Sequence, residues 1–291
     1  MKPFSCNIAY KEFCTAKAAI RLKKGGFYML GAIIGDIVGS RFERSSDKTK
    51  DFLFFAPSCC PTDDSIMTIA VGLALVEADI SDEESFKQVL IERMKELGRL
   101  YPDAGYGGRF YTWLLSEDNS PYGSFGNGSG MRVSPVAWAA DNIDDVRTLA
   151  RWSAEVTHDH PEGIKGAEAV ASAVFLARKG YQKEEIREYI EKHFYDLDFT
   201  VDEIRPSYSF DVTCRGSVPQ AIVCFLDSTD YEDAVRNAVS LGGDGDTIGA
   251  MAGAVAEAFY GIPPEIEEEG LEFLDDVLSD YYFSYADELY G

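Results

Sequence analysis

Two short stretches of the sequence place Asp and Thr side chains directly before predicted helices. Residues 62–64 (TDD) precede a helix predicted from Ser65 to Ala78, and residues 244–247 (DGDT) precede one predicted from Ile248 to Tyr260. Asp and Thr are common N-caps, because their side-chain oxygens accept hydrogen bonds from the free amides of the first helical turn. Only one or two side chains can cap a helix, so each stretch has more oxygen ligands than a cap requires.

If the two stretches meet in the fold, their side chains form a site made of oxygen ligands alone. Carboxylates that face one another repel unless a cation lies between them. Oxygen ligands without Cys or His suit Mg²⁺ or Mn²⁺ and argue against zinc. A two-metal site of this kind could orient a diol, polarise a leaving oxygen and activate water. Its six ligands would be Thr62, Asp63, Asp64, Asp244, Asp246 and Thr247.

Apolar residues recur at helical spacing along most of the chain, and the period-2 alternation of half-buried strands is nearly absent. The clearest stripe consists of Ile66, Ile69, Ala70, Leu73 and Ala74. A capping box of Ser81 and Glu84 is predicted to begin the following helix. We predict an all-α fold whose further helices span residues 82–97, 142–156, 164–179, 183–194, 217–227, 230–240 and 264–279.

Three glycine-rich connections lie between the predicted helices, at residues 106–108, 122–130 and 241–246. Glycine tolerates positive φ and lets backbone amides approach a ligand, so these loops are expected to build a binding cleft. The chain has no internal repeat and no linker long enough to separate domains. We therefore expect one compact domain over residues 29–291.

The composition excludes several classes of protein. Fifty acidic residues against 27 basic ones give a formal net charge of −23. This charge repels phosphate backbones and anionic lipids, so neither extended nucleic acid nor a membrane is an expected partner. The six cysteines include no C-x-x-C pair. They favour a reducing cytoplasm over a disulfide framework or a zinc knuckle.

The first 28 residues differ in charge from the rest of the chain. They carry six basic residues and one acidic residue, whereas residues 29–291 carry 21 basic and 49 acidic residues. A cleaved signal would need an uninterrupted apolar core of about seven residues, which this segment lacks. We expect residues 1–28 to be a poorly ordered basic extension, or to precede a true start at Met29. A transit peptide is the alternative.

Five segments resemble, in the same order, the signatures of the ADP-ribosylglycohydrolase family. They are residues 31–43 (GAIIGDIVGSRFE), 62–64 (TDD), 127–132 (NGSGMR), 160–167 (HPEGIKGA) and 242–247 (GGDGDT). The resemblance extends over about Met29 to Pro264. It implies a compact multi-helix catalytic domain with a two-metal cleft. The implied reaction is hydrolysis of the glycosidic bond between ADP-ribose and a protein side chain or small acceptor.

The resemblance also implies roles for individual residues. The six ligands named above would hold two divalent cations, Mg²⁺ or Mn²⁺, with Asp246 as the bridging ligand. Glu43 would be a mobile carboxylate near the scissile bond, catalytic together with Asp63 and Asp246, while Asp36 has either a nearby or a structural role. The substrate-binding residues would be Gly126, Asn127, Gly128, Ser129, Gly130, Met131 and His160.

Other features of these segments leave expectations open. Gly245 replaces the larger residue of many relatives and is expected to loosen its turn. Met131, Trp138 and Phe125 are expected in the core rather than as ligand stackers, although Phe125 could stack on adenine.

Three alternatives belong to other classes of protein. A relative could bind ADP-ribose without cleaving it, and an interaction module would bind no small ligand. An HD-type metal phosphohydrolase would use His158 and Asp159, but that class needs a further histidine upstream, which the chain lacks. For the hydrolase, we expect a monomer that acts on an ADP-ribosylated protein or small molecule.

Overall fold

The computed structural model describes the backbone of residues 29–290 and the side chains as far as Tyr285. Fifteen α-helices account for most of these residues, and the only β pairings among them are isolated bridges at Ser45–Gly243 and Gly126–Thr213. The predicted all-α class is confirmed. The helices are α1 (Leu30–Gly39), α2 (Asp63–Glu77), α3 (Glu83–Leu100), α4 (Gly108–Leu115), α5 (Gly128–Met131), α6 (Val136–Ala139), α7 (Ile143–Glu155), α8 (Pro161–Arg178), α9 (Lys183–His193), α10 (Val201–Ile204), α11 (Cys214–Leu226), α12 (Tyr231–Ser240), α13 (Gly245–Tyr260), α14 (Pro264–Leu271) and α15 (Asp276–Tyr290).

Helices α1 and α13 pack antiparallel at the centre of the molecule. Glycine recurs every fourth residue on both contact faces, which lets the two backbones touch. A Cβ atom on Gly35 would lie only 2.1 Å from the carbonyl oxygen of Gly249, and one on Gly39 would lie 2.4 Å from that of Gly245. No side chain fits between the helices at these positions. The contact therefore brings the end of α1 beside the start of α13.

The remaining helices surround this pair. Helix α2 packs against α1, α3 and α15, while α8 packs against α7, α11 and α13. The starts of α2 and α13 and the α5 turn lie in contact with one another through these layers. None of the described helices combines the length and the apolar composition that a membrane span would need.

Most predicted helices are present, with ends shifted by a few residues, but three local predictions are wrong. The helix predicted over 264–279 is two helices, because Asp275 accepts hydrogen bonds from Val277 N and Leu278 N and so caps a new helix. Asp82, not Ser81, caps α3, accepting from Glu84 N at 3.0 Å. Part of the glycine-rich connection at 122–130 forms the single turn α5.

Five helices, α1, α4, α5, α6 and α10, were not predicted, and the last three are single turns of four residues. Every residue of α1 is buried. Residues 1–28 lie outside the described part of the chain, and so does the prediction of a basic extension there. The four cysteines in the described part are all unpaired.

Candidate metal and ligand site

Asp36 lies near the end of α1 and holds the start of α2. Its carboxylate accepts hydrogen bonds from Thr62 N at 2.8 Å, Thr62 Oγ1 at 2.7 Å and Ser65 N at 3.0 Å, and Ser65 Oγ also donates to it. Four donors in this arrangement fix the orientation of the first acidic stretch. The sequence left the role of Asp36 open, and the structure places it at the site itself, where it orients the first acidic stretch.

The structure brings the two acidic stretches together. Asp36, Asp64 and Asp246 are all buried, and each offers a carboxylate oxygen that lies within 4.8 Å of the other two. Thr247 Oγ1 donates to Asp64 Oδ2 at 3.2 Å, which joins the start of α13 to the start of α2. Asp64 Oδ1 is buried and has no hydrogen-bond partner among the described residues. This oxygen is available as a ligand.

The surroundings of the clustered carboxyl groups disfavour their ionised forms. Burial raises the pKa of Asp36 to about 6 and that of Asp64 well above its ordinary value, and Asp246 adds to the effect on Asp64. Burial followed by repulsion from Asp244 likewise raises the pKa of Asp246. A divalent cation would remove this repulsion, and the oxygen donors fit Mg²⁺ or Mn²⁺.

Asp63 lies at the more open side of the cluster and is half-buried. Burial, with repulsion from Asp36 and Asp244, raises its pKa to about 8. Its backbone amide donates to Ala104 O at 2.9 Å, and a Cβ atom on Gly105 would lie 3.4 Å from Asp63 Oδ1. The segment directly before the first predicted glycine-rich connection therefore adjoins this carboxylate.

Asn127 connects the second acidic stretch to the glycine-rich turn. Its side-chain amide donates to Asp244 Oδ2 at 2.6 Å and to Ser217 Oγ at 3.1 Å, and the residue is buried. We predicted Asn127 as a substrate contact. Its amide nitrogen also orients a predicted metal ligand from a supporting position around the cluster.

The turn Gly126–Met131 is anchored on both sides. Asn127 N donates to Val212 O at 2.8 Å, and Ser129 Oγ donates to Gly163 O at 2.7 Å. These contacts bury Ser129 and Met131, while Gly126 and Gly128 remain half-exposed beside His158. The open positions of this turn are Gly126 and Gly128, whereas Gly130 is buried.

His158, rather than His160, lies against this turn. His158 is buried, and a Cβ atom on Gly128 would lie 3.2 Å from its Nε2. His160 is exposed and caps α8, where its Nδ1 accepts from Glu162 N at 3.0 Å. Asp159 Oδ1 accepts from Gly123 N, so it forms a loop contact rather than half of a metal dyad. This arrangement disfavours the HD-type alternative.

Glu43 follows a short 3₁₀ turn after α1 and faces the cluster from its exposed side. Its charge adds to burial in raising the pKa of Asp63 and Asp246. Arg44 Nε contacts Glu43 Oε1 at 3.2 Å, and Arg44 adopts a left-handed φ of 62°. The next residue, Ser45, bridges to Gly243. Glu43 is thus tethered beside the turn that carries Asp244.

The structure corrects one further expectation, that for Phe125. Phe125 is 49% exposed and packs edge-on against His160 with ring centroids 5.4 Å apart, so the prediction that it lies in the core is wrong. Met131 is buried, as expected. Gly245 begins the regular helix α13, and a Cβ atom there would meet Phe42 at an ordinary 3.4 Å.

Comparison with known proteins supplies an independent line of evidence. A family model described as ADP-ribosylglycohydrolase matches residues 27–291. Human ADP-ribosylhydrolase ARH3 is 26% identical over 329 residues, covering 84% of this chain and 88% of that protein. ADP-ribosylarginine hydrolase Tri1 of Pseudomonas putida is 25% identical over 284 residues, covering 88% and 76%. A solved ADP-ribosylglycohydrolase-related protein complex matches the fold with a TM-score of 0.65 at 24% identity, covering 90% of this chain and 95% of that one.

Proposed function

The chain belongs to the ADP-ribosylglycohydrolase family of glycosidic-bond hydrolases, and on this premise we propose that it cleaves ADP-ribose from a protein side chain or small acceptor in a metal-dependent reaction. The observation that carries the metal dependence is the buried cluster of Asp36, Asp64 and Asp246. Three buried carboxylates with raised pKa values oppose folding unless a cation compensates them. The names of the relatives ARH3 and Tri1 support ADP-ribose as the group released.

Seven side chains would hold the cations. They are the six predicted ligands and, as a seventh, Asp36, whose carboxylate lies in the same cluster. Bound Mg²⁺ or Mn²⁺ would supply positive charge that orients the ribose diol and stabilises negative charge on oxygen. Within this set, Thr247 and Asp64 contact each other directly, so each orients the other before a ligand arrives.

The chain's own residues account for the remaining requirements of the reaction. Glycosidic cleavage needs a proton at the leaving atom and a water on the opposite face of the sugar. Glu43 supplies a carboxylate at the exposed side of the cluster, where it transfers a proton or orients that water. The turn Gly126–Met131 holds ADP-ribose by its backbone, and the exposed ring of Phe125 stacks on adenine. His158 contacts the ligand, and His160 keeps its capping role.

A hydrolysis panel tests this proposal. Metal-free protein is supplied with Mg²⁺ or Mn²⁺ and offered ADP-ribosyl-arginine, ADP-ribosyl-serine and small ADP-ribosyl compounds, and release of free ADP-ribose is measured. We expect release from at least one substrate only with a cation, and loss of release in Asp246→Ala. The matched control is Asp280→Ala, which removes an exposed carboxylate of α15. Retained activity in Asp246→Ala would contradict the proposal.

A further inference from the structure

Arg132 follows the turn α5 and is a buried cation without an acidic partner. It is 1% exposed and forms no ion pair with any described carboxylate. Its Nη2 donates to Ser153 O at 3.0 Å and to Thr157 Oγ1 at 2.9 Å, and its Nε has no partner among the described residues. Burial lowers the pKa of Arg132 to about 10, so the group stays charged at neutral pH. Charge in such a place is normally paired.

Thr157 links this cation to His158. Its Oγ1 accepts the hydrogen bond from Arg132 and lies 2.8 Å from His158 Nδ1. An arginine never accepts, so His158 Nδ1 is the only acceptor for the buried Thr157 hydroxyl hydrogen among the described residues. The alternative, in which Nδ1–H donates to Oγ1, would leave that hydrogen buried without an acceptor. The hydroxyl therefore donates to Nδ1.

We propose that Arg132 is a positioning residue that acts through Thr157 to hold His158 in the neutral tautomer with its proton on Nε2. The Nε2–H bond is then a fixed donor directed at the turn Gly126–Gly128. On the basis of the proposed function, its acceptor is an oxygen of the bound ADP-ribose. The tautomer itself is a property of the free protein and does not depend on that function.

The surroundings of His158 support this assignment. The positions nearest to Nε2 are glycines, since a Cβ atom would lie 3.2 Å away on Gly128 and 3.6 Å away on Gly126. The missing side chains leave room for a ligand atom at the donor. Burial, followed by the charges of Arg132 and Arg109, holds the pKa of His158 well below its ordinary value. A neutral imidazole has one donor and one acceptor, and the Thr157 bond decides which nitrogen is which.

Nuclear magnetic resonance of ¹⁵N-histidine-labelled full-length protein reads the tautomer directly. The chain has three histidines, so the signal of His158 is identified by its loss in His158→Gln. We expect a protonated Nε2 and an unprotonated Nδ1 in the wild-type protein and in Thr157→Ser, which keeps the hydroxyl. In Thr157→Val, which removes it, and in Arg132→Met, we expect a mixture of tautomers. A wild-type signal with the proton on Nδ1, or an unchanged signal in Thr157→Val, would overturn the proposal.

Calorimetric titration with ADP-ribose in the presence of Mg²⁺ measures how the tautomer of His158 affects ligand affinity. We expect Thr157→Val to bind about tenfold more weakly than the wild type, the effect of one misdirected hydrogen bond, and Thr157→Ser to stay within about twofold. Equal affinity of the Val and Ser variants would overturn the link to the ligand. A fixed Nε2–H tautomer in a wild-type protein that binds no ADP-ribose would support the relay and contradict the proposed function.

Discussion

Gly35 of α1 and Gly249 of α13 meet backbone to backbone, with room for only hydrogen between them. The residue after Gly35 is Asp36, and Asp246 lies one turn before Gly249 on the facing helix. The distance between these two carboxylates is therefore set by the helix contact and not by a loop. The acidic cluster depends on the glycines for its geometry.

Replacing Gly35 with Ala tests this dependence. The added Cβ would lie 2.1 Å from the Gly249 carbonyl oxygen, so the helices must separate. We expect a loss of at least about 2 kcal/mol in the free energy of unfolding, and weaker stabilisation by Mg²⁺. Denaturant unfolding with and without Mg²⁺ measures both. Gly245→Ala is the control, since its Cβ has an ordinary 3.4 Å contact, and it should keep its Mg²⁺ response. A wild-type response in Gly35→Ala would contradict the account.

Removing one charge from the cluster should affect the metal-free and metal-bound proteins in opposite ways. Asp64→Asn relieves buried repulsion, so the midpoint of thermal unfolding in EDTA should rise. Excess Mg²⁺ should stabilise the wild type by about 3 kcal/mol at one hundred times its dissociation constant, and the variant hardly at all. Thermal unfolding with EDTA or Mg²⁺ measures this, with Asp280→Asn as the control. Equal Mg²⁺ stabilisation of variant and wild type would exclude Asp64 as a ligand.

Asn127 should affect metal affinity because it orients the carboxylate of Asp244. Asn127→Ala removes the 2.6 Å hydrogen bond that orients the Asp244 carboxylate, so metal affinity should fall by about 10- to 100-fold. Mn²⁺ titration followed by electron paramagnetic resonance gives the affinity. Ser217→Ala removes only the second partner of Asn127 and should have a smaller effect. If the two variants bind Mn²⁺ equally well, the bond to Asp244 has no special role.

Glu257 should make stability depend on pH. Glu257 belongs to α13 and is buried against the start of α1, where its carboxylate accepts a hydrogen bond from Gly31 N at 3.0 Å. Burial raises the pKa of Glu257 to about 8. Because the folded state holds this proton more tightly than the unfolded state, its stabilising contribution is complete below about pH 4.5 and is lost as the pH rises through about 8. Glu257→Gln should therefore flatten the decline in stability between about pH 5 and pH 8.5.

Thermal unfolding across that range, with Mg²⁺ present throughout so that the Asp cluster contributes little, measures the effect of Glu257. Glu265→Gln, at an exposed position of α14, is the control and should decline like the wild type. A decline of wild-type size in Glu257→Gln would assign the pH dependence to other groups.

The helices that the sequence misses are short, with four to ten residues. Helix α2 is recognisable because its apolar residues repeat at helical spacing along 15 residues, whereas α1 has only ten residues. The break between α14 and α15 depends on a single capping residue, Asp275, within an otherwise continuous helical pattern. Periodicity cannot detect such a cap.

At the site, residue type alone points to the ligands but not to the residues that orient them. The two acidic stretches are visible in the sequence because carboxylates and hydroxyls concentrate there. Asp36 acts through hydrogen bonds to residues 26 and 29 positions away, which no local pattern reveals. His158 and His160 are two residues apart, and only burial distinguishes the one beside the turn from the one that caps α8.

The most direct test is anomalous diffraction at the manganese edge from crystals of the protein grown with Mn²⁺. We predict an anomalous peak within about 2.2 Å of carboxylate oxygens from both Asp64 and Asp246. That result would establish that the two acidic stretches form one cation site. Ordered crystals that show no peak there, or Mn²⁺ bound only at other carboxylates, would contradict the account.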